Sequence, residues 1–191
     1  LRTQTTDEQS SSAHILFMLP QEAALIEAEG WLRREQLRYV WHDHRYGDFD
    51  GFLGQLSAKK RKNIRRERRL IAEASFTITW RSGASLSAAE WHAVYALYAS
   101  TYLIRGRSPY LTLECLQQWA HNFPEAMLFC LALRSEEIVA MAFYFRDGQT
   151  LYGRHWGAQR DYDSLHFELC YYQGIDYCLR HHLAHFDAGV Q

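Results

Sequence analysis

Residues 127–189 read MLFCLALRSEEIVAMAFYFRDGQTLYGRHWGAQRDYDSLHFELCYYQGIDYCLRHHLAHFDAG, and this stretch decides the fold. MLFCLAL (127–133), IVAMAFYF (138–145) and LYGRHWG (151–157) are apolar or alternating runs of strand length. They are separated by gaps of hairpin length, the second of which carries Asp147-Gly148. A helix is expected next, from about Ser164 to His182, and then a returning strand, HFDAG. An antiparallel meander, a long helix and a returning strand make an α+β layer architecture.

Outward from this block the elements are less regular. FTITW sets Phe76, Ile78 and Trp80 against Thr77 and Thr79, the period of a half-buried strand. Ser87 with Glu90 forms a capping box ahead of a helix to about Tyr102, and TLECLQQWAHNF makes a shorter helix ended by Pro124. Further upstream, Asp48 or Asp50 can cap a helix over 52–74, preceded by a strand from Leu37, LRYVWHD. HILFML (14–19) reads as a short buried strand, after which Pro20 opens a helix through Trp31 with Gly30 as its stop. Residues 1–13 form a polar lead, expected to be flexible, and 14–191 a single domain.

The chain has 191 residues, 48% hydrophobic and 15% aromatic, enough for one domain with a substantial core. No apolar run approaches the roughly 20 residues that span a bilayer, and the start has no signal-peptide core, so a cytoplasmic location is expected. Cys115, Cys130, Cys170 and Cys178 contain no CxxC pair and fall in apolar patterns, which fits free thiols.

The net charge of −1 conceals a strong asymmetry. Between Lys59 and Arg69 stand eight cations against Glu67 alone, leaving 13 basic and 21 acidic residues elsewhere. On a helix, Leu53, Leu56, Ile64 and Ile71 make a core-facing stripe, while Lys59, Lys62, Arg66 and Arg69 lie on another face. Such a run is commonly a solvated face, but like charges at this density repel unless an anion relieves them. Glu67 lies beside the apolar stripe, where it either pairs with a basic residue of another segment or acts as a general base.

FLGQLSAKKRKNIRRERR (52–69) and LYGRHWGAQRDYDSLHFELCYYQGIDYCLRHHLAHFDAG (151–189) carry a family resemblance. Both segments resemble the signature stretches of the FemAB-like peptidoglycan biosynthesis/recognition family, whose C-terminal half has the GNAT (acyl-CoA N-acyltransferase-type) fold. The resemblance covers nearly the whole chain and implies a GNAT-like mixed sheet flanked by helices. Members of the family are typically about twice this long, so the chain is expected to be the C-terminal portion of such a protein. By similarity to Fem transferases, it implies transfer of an acyl or aminoacyl group to an amine, with a cell-envelope precursor as acceptor.

Several residues are candidates for that chemistry. In LYGRHWG, strict alternation puts Tyr152, Arg154 and Trp156 on one sheet face and Gly153, His155 and Gly157 on the other. The glycines either permit close approach of a ligand or mark a bulge at Gly157. On the following helix His166, Cys170, Gln173 and Tyr177 share one face, and Glu168, Tyr172 and Asp176 another. His166 can take a proton from an attacking amine, although a lone helical histidine is more often structural. His166, Glu168 and Tyr172 are therefore the catalytic candidates. Lys59, Lys62, Arg65, Arg66, Arg69, Arg154, Trp156 and Gln173 are the candidates for substrate binding. Gly174 in mid-helix points to close packing against the sheet.

The segment GAQRDYDSLH departs from the glycine-rich Q/RxxGxG/A turn with which acetyltransferases hold the CoA pyrophosphate, and it carries Asp161 and Asp163. Aminoacyl-tRNA is accordingly favoured over acyl-CoA as donor, and no tightly bound cofactor is expected. His42, His44, His181, His182 and His185 lack a zinc-type spacing with cysteines, so no metal is expected, and no GxSxG elbow supports a Ser or Cys nucleophile. Two other roles compete with transfer: a non-catalytic recognition domain binding an anionic precursor or RNA through the basic helix, and a domain that only supports a catalytic half. The returning strand HFDAG is expected to lie next to an open sheet edge, through which the chain would form a homodimer.

Overall fold

A computed structural model describes residues 13–16, 18–35 and 37–189. The chain divides into two compact units, 1–37 and 38–191, so residues 14–37 fall in the first. In that unit a single helix, α1 (Pro20–Ala28), starts where Pro20 occupies the first turn and the Glu22 carboxylate accepts from the Leu19 N–H at 2.8 Å. It stops before Trp31 because Gly30 takes a left-handed φ of +83°. The strand expected over 14–19 does not form at residues 14–16 or 18–19, and Phe17 lies outside the described residues. A strand needs a ladder partner, and none of the described residues pairs with these.

The second unit is built on six strands: β1 (Val40–His42), β2 (Thr77–Ser82), β3 (Met127–Arg134), β4 (Glu137–Arg146), β5 (Thr150–Ala158) and β6 (His185–Asp187). Their order is β1-β6-β5-β4-β3-β2, antiparallel except for the parallel pair β5 and β6. This is the α+β, GNAT-like mixed sheet that the sequence implied. Ser135 and Glu136, both at positive φ, turn β3 into β4. Asp147 pins the second turn by accepting from the Gln149 and Thr150 N–H groups.

Helices cover both faces. On one face α2 (Phe49–Gly54), α3 (Ala58–Glu73) and α7 (Gln173–His181) pack with Cys130, Ala142, Tyr144, Leu151 and Phe186. On the other, α4 (Ala88–Leu103) and α5 (Leu113–Asn122) bury Trp91, Val94, Leu97 and Leu116 against Phe129, Met141 and Phe143. The helix expected over 52–74 is two helices. Asp48, not Asp50, caps α2 through the Gly51 N–H, and Ser57 caps α3 through the Lys60 N–H. Arg61 closes the break by donating to the Gly54 and Leu56 carbonyls. The apolar stripe survives it, with Leu53 and Ile71 buried and Leu56 and Ile64 packed against the same core.

Three readings of strands β5 and β6 are corrected. The β4–β5 register shifts between Phe143, opposite His155, and Tyr144, opposite Gly153, so Arg154 is an extra, bulged residue. The bulge is therefore not at Gly157, and the alternation changes phase. Trp156 joins the α7 face, whereas Tyr152, opposite Phe145, shares the α4 face with His155 and Gly157. Gly157 serves packing: a Cβ there would lie 2.4 Å from the Leu97 carbonyl oxygen of α4. Lastly, β6 is no edge, because β1 pairs with its outer side from Val40–Asp187 to His42–His185, and Arg38 reaches Asp187 at 2.8 Å.

Gly174 does pack against the sheet as its position suggested, since a Cβ would come within 2.5 Å of the Phe186 ring. The contact at Gly157 is the less forgiving, being backbone against backbone. Gly157→Ala should destabilise the domain by about 1–3 kcal/mol, the usual cost of overpacking. Gly148→Ala, at a site with nothing within 4 Å, should shift stability far less in the same urea titration.

Candidate functional site

Strand β5 has two kinds of neighbour along its length. It pairs with β4 throughout, but with β6 only at Thr150, Leu151 and Tyr152. Beyond that, residues 153–158 continue without a strand on this side among the described residues. Gly153 marks the point of divergence, where a Cβ would stand 3.0 Å from the Ala188 carbonyl oxygen. Trp156 lies on the diverging stretch, with the His166 ring 5.3 Å away and edge-on to it. His166 belongs to a short helical turn, α6 (Leu165–Phe167), that begins after Ser164 in a left-handed conformation. Partial burial lowers the His166 pKa, so its imidazole is neutral at physiological pH. Arg154 is exposed at the bulge.

After α6 the chain makes a π-helical segment, Glu168–Tyr172, before α7. A π-turn adds a residue and breaks the α spacing. It sends the Leu169 carbonyl to the buried Tyr144 hydroxyl, which donates to it. It also joins two residues that α-helical spacing had put on separate faces: Gln173 Nε2 donates to Glu168 Oε1 at 2.8 Å. Trp80 Nε1 in turn donates to Gln173 Oε1 at 3.2 Å.

The basic helix meets this segment with two inward residues. Arg68 donates from Nε to Glu168 Oε1 at 3.2 Å, pairs with Asp176 at 3.6 Å, and lays its guanidinium 4.4 Å from the Phe49 ring centroid. Asp176 is also paired with Arg180. Glu67 accepts from the Tyr172 hydroxyl, so its partner is a phenol and not the cation expected from the sequence. Burial, then that bond to Glu67, pushes the Tyr172 pKa well up, and the phenol keeps its proton. Glu168 is 3% exposed, and its Oε2 is buried without a hydrogen-bond partner among the described residues.

Lys59, Lys62, Arg65, Arg66 and Arg69 point outward and are exposed. Arg65 pairs with Asp50 at 2.9 Å and Arg69 with Glu73 at 3.6 Å, both across solvent. Lys59, Lys62 and Arg66 make no ion pair among the described residues.

The chain matches, over residues 1–191, the family model described as FemAB-like, peptidoglycan biosynthesis/recognition. It belongs to the FemAB-like family. No curated protein matches it significantly. Solved structures similar to this FemAB-like chain include an acyl-CoA N-acyltransferase from Pseudomonas aeruginosa, at 14% identity and TM-score 0.45, covering 56% of this chain and 72% of that one. A conserved protein of unknown function from Bacteroides thetaiotaomicron VPI-5482 matches at 17% identity and TM-score 0.45. That match covers 90% of this chain and 60% of the Bacteroides protein.

Within the FemAB-like chain the predicted residues fall into three groups. Glu168, Tyr172 and Gln173 come together around Arg68 and Glu67 of the basic helix. His166 meets Trp156, and the remaining cations face solvent with Arg154. Arg68 was not singled out, because a guanidinium inside a run of eight cations carries no local mark of facing inward; its position four residues from the core-facing Ile64 was the available signal. His155 was also missed. It stacks on Tyr102 at 5.5 Å on the α4 face, with Nε2 2.8 Å from Thr101 Oγ1. Among the described residues no three His, Cys, Asp or Glu side chains could hold a metal ion, although the Nδ1 atoms of His42 and His185 lie 2.9 Å apart.

Removing Arg68 would strand a buried carboxylate. Arg68→Ala should therefore cost about 3 kcal/mol, whereas Lys62→Ala should stay within about 0.5 kcal/mol, measured by urea denaturation. Burial, the largest influence, holds the His155 pKa below its ordinary 6.5. The unfolded chain then binds that proton more readily, so the His155 contribution is complete above pH 6.5 and declines as pH falls below it. Against wild type, His155→Gln should flatten the loss of Tm between about pH 6.5 and 5.

Proposed function

We propose that this FemAB-like protein is an acyl- or aminoacyl-transferase acting on an amine acceptor, with a cell-envelope precursor as the acceptor class. The observation that carries the reading is the stretch of β5 beyond Tyr152, which among the described residues has no strand on its β6 side and carries Trp156 next to His166. An unpaired strand edge offers backbone N–H and C=O groups to an extended donor or acceptor. The amine nitrogen attacks the donor's ester carbonyl, the ester C–O bond breaks, and an amide forms. The proton lost from nitrogen passes to the neutral imidazole of His166 and from there to the departing oxygen.

Aminoacyl-tRNA is the donor we favour over acyl-CoA. Asp161 and Asp163 are both exposed in the turn between β5 and α6, and negative charge there opposes a pyrophosphate. Lys59, Lys62 and Arg66, exposed and without ion-pair partners among the described residues, are suited to a phosphate backbone. The same three cations favour a second reading, in which the domain recognises an anionic precursor or RNA without catalysis.

Incubation with charged tRNA and an amine-bearing peptidoglycan precursor should form the new amide, with turnover falling at least about tenfold in His166→Ala. Binding of RNA without product would favour the second reading. The affinity for tRNA should drop steeply between two salt concentrations, and the Lys59/Lys62/Arg66 triple-alanine variant should bind weakly and with a shallower salt slope. Equal, salt-insensitive binding by both proteins would exclude the basic helix as the contact. Tight acetyl-CoA binding by calorimetry would overturn the choice of donor.

A further inference from the structure

The Glu168 carboxylate is used unevenly. Its Oε1 accepts from Arg68 Nε at 3.2 Å and from Gln173 Nε2 at 2.8 Å, and Arg68 Nη2 stands 3.2 Å from the same oxygen. Its Oε2, on a residue 3% exposed, takes none. An arginine and a carboxylate ordinarily meet as two forks, one N–H to each oxygen. Here Nε donates to Oε1, Nη2 stands closest to that same oxygen, and the guanidinium turns towards Asp176 as well. A buried carboxylate oxygen without a hydrogen bond costs free energy that a packed site does not retain without a use.

The surrounding charge gives the missing partner its sign. Glu168 and Asp176 share the guanidinium of Arg68, Asp176 also pairs with the largely exposed Arg180, and Glu67 joins the same network through the Tyr172 hydroxyl. Tyr172 neutralises nothing, since it stays protonated while donating to Glu67. Among the described residues, three carboxylates against two guanidiniums leave the network one positive charge short, and its buried acceptor without a donor is Glu168 Oε2.

We propose that Glu168 Oε2 is the docking point for a protonated primary amine, the acceptor end of the substrate. This assignment rests on the transferase reading for the identity of the amine, but the binding itself does not. A primary ammonium supplies both the charge and the N–H donor. The bound amine would also be sensed at a distance, because Glu168 Oε1, Gln173 and the Trp80 indole form one hydrogen-bonded chain.

That chain supplies the readout. The Trp80 indole N–H resonance, assigned through Trp80→Phe, is followed in the ¹⁵N-labelled protein during titration with ethylammonium chloride. Tetramethylammonium chloride at equal ionic strength is the control, a cation of similar charge without N–H donors. A saturable shift is expected with ethylammonium and none with tetramethylammonium. In Glu168→Gln, whose side chain keeps its size and loses its charge, ethylammonium should bind about tenfold more weakly or worse. Glu125→Gln, at an exposed site, should bind as wild type does. Absence of a saturable shift in the wild-type protein would overturn the proposal and leave an internal water as the partner of Oε2. Equal shifts with both cations would also overturn it, whether or not Glu168→Gln folds. Transfer activity without the shift would remove this inference alone, whereas the shift without transfer would remove the transferase reading and leave the amine site.

Discussion

A carboxylate almost sealed from water sits under the sheet, and the helices on that face are arranged around it. A carboxylate buried there is costly without a cation beside it, and Arg68 is the cation that reaches it. The pair ties α3 to the segment after β5, and so fixes which side of the basic helix faces inward. Once Arg68 and Glu67 are turned to the interior, Lys59, Lys62 and Arg66 must point outward. The exposed basic surface and the buried network are two consequences of one docking.

The π-helical turn is what lets that docking work. An uninterrupted α-helix from Leu165 to His181 would keep Glu168 and Gln173 on separate faces and would keep the Leu169 carbonyl for its own ladder. The added residue brings Gln173 back to Glu168 at a separation of five and gives the Leu169 carbonyl to Tyr144. The buried tyrosine hydroxyl on β4 and the carbonyl freed by the π-turn satisfy one another. π-turns persist where a site needs the geometry they impose.

The opposite face of the sheet is organised by close approach. Gly157 admits the backbone of α4 at Leu97, which draws β5 towards the α4 side, and the Arg154 bulge changes the phase of the strand just before it. Trp156 is thereby delivered to the α7 face next to His166, on the part of β5 that β6 has left behind. A single inserted residue decides on which face of the sheet the tryptophan stands.

The meander from β3 to β5, the helix after it and the returning strand were legible from period and turn residues alone, as were the Ser87–Glu90 cap and the packing role of Gly174. Those features depend on neighbours within a few residues, and local chemistry specifies them. The α+β class follows from the same stretch, and the family resemblance from residues 52–69 together with 151–189. What escaped the sequence depended on partners far along the chain. HILFML has the composition of a strand but forms none in its described residues, because strands are decided by ladder partners and not by composition. The Arg154 bulge and the π-turn each insert one residue, and a periodic reading fails at a phase shift it has no means to see. Arg68 looks like every other cation between Lys59 and Arg69. Only the meeting of that helix with Glu168, a hundred residues further along, sets it apart. The order of the elements was determined by the sequence by itself. Which charge is buried was decided by the tertiary structure alone, because the cost of burial depends on what lies opposite and not on what lies beside.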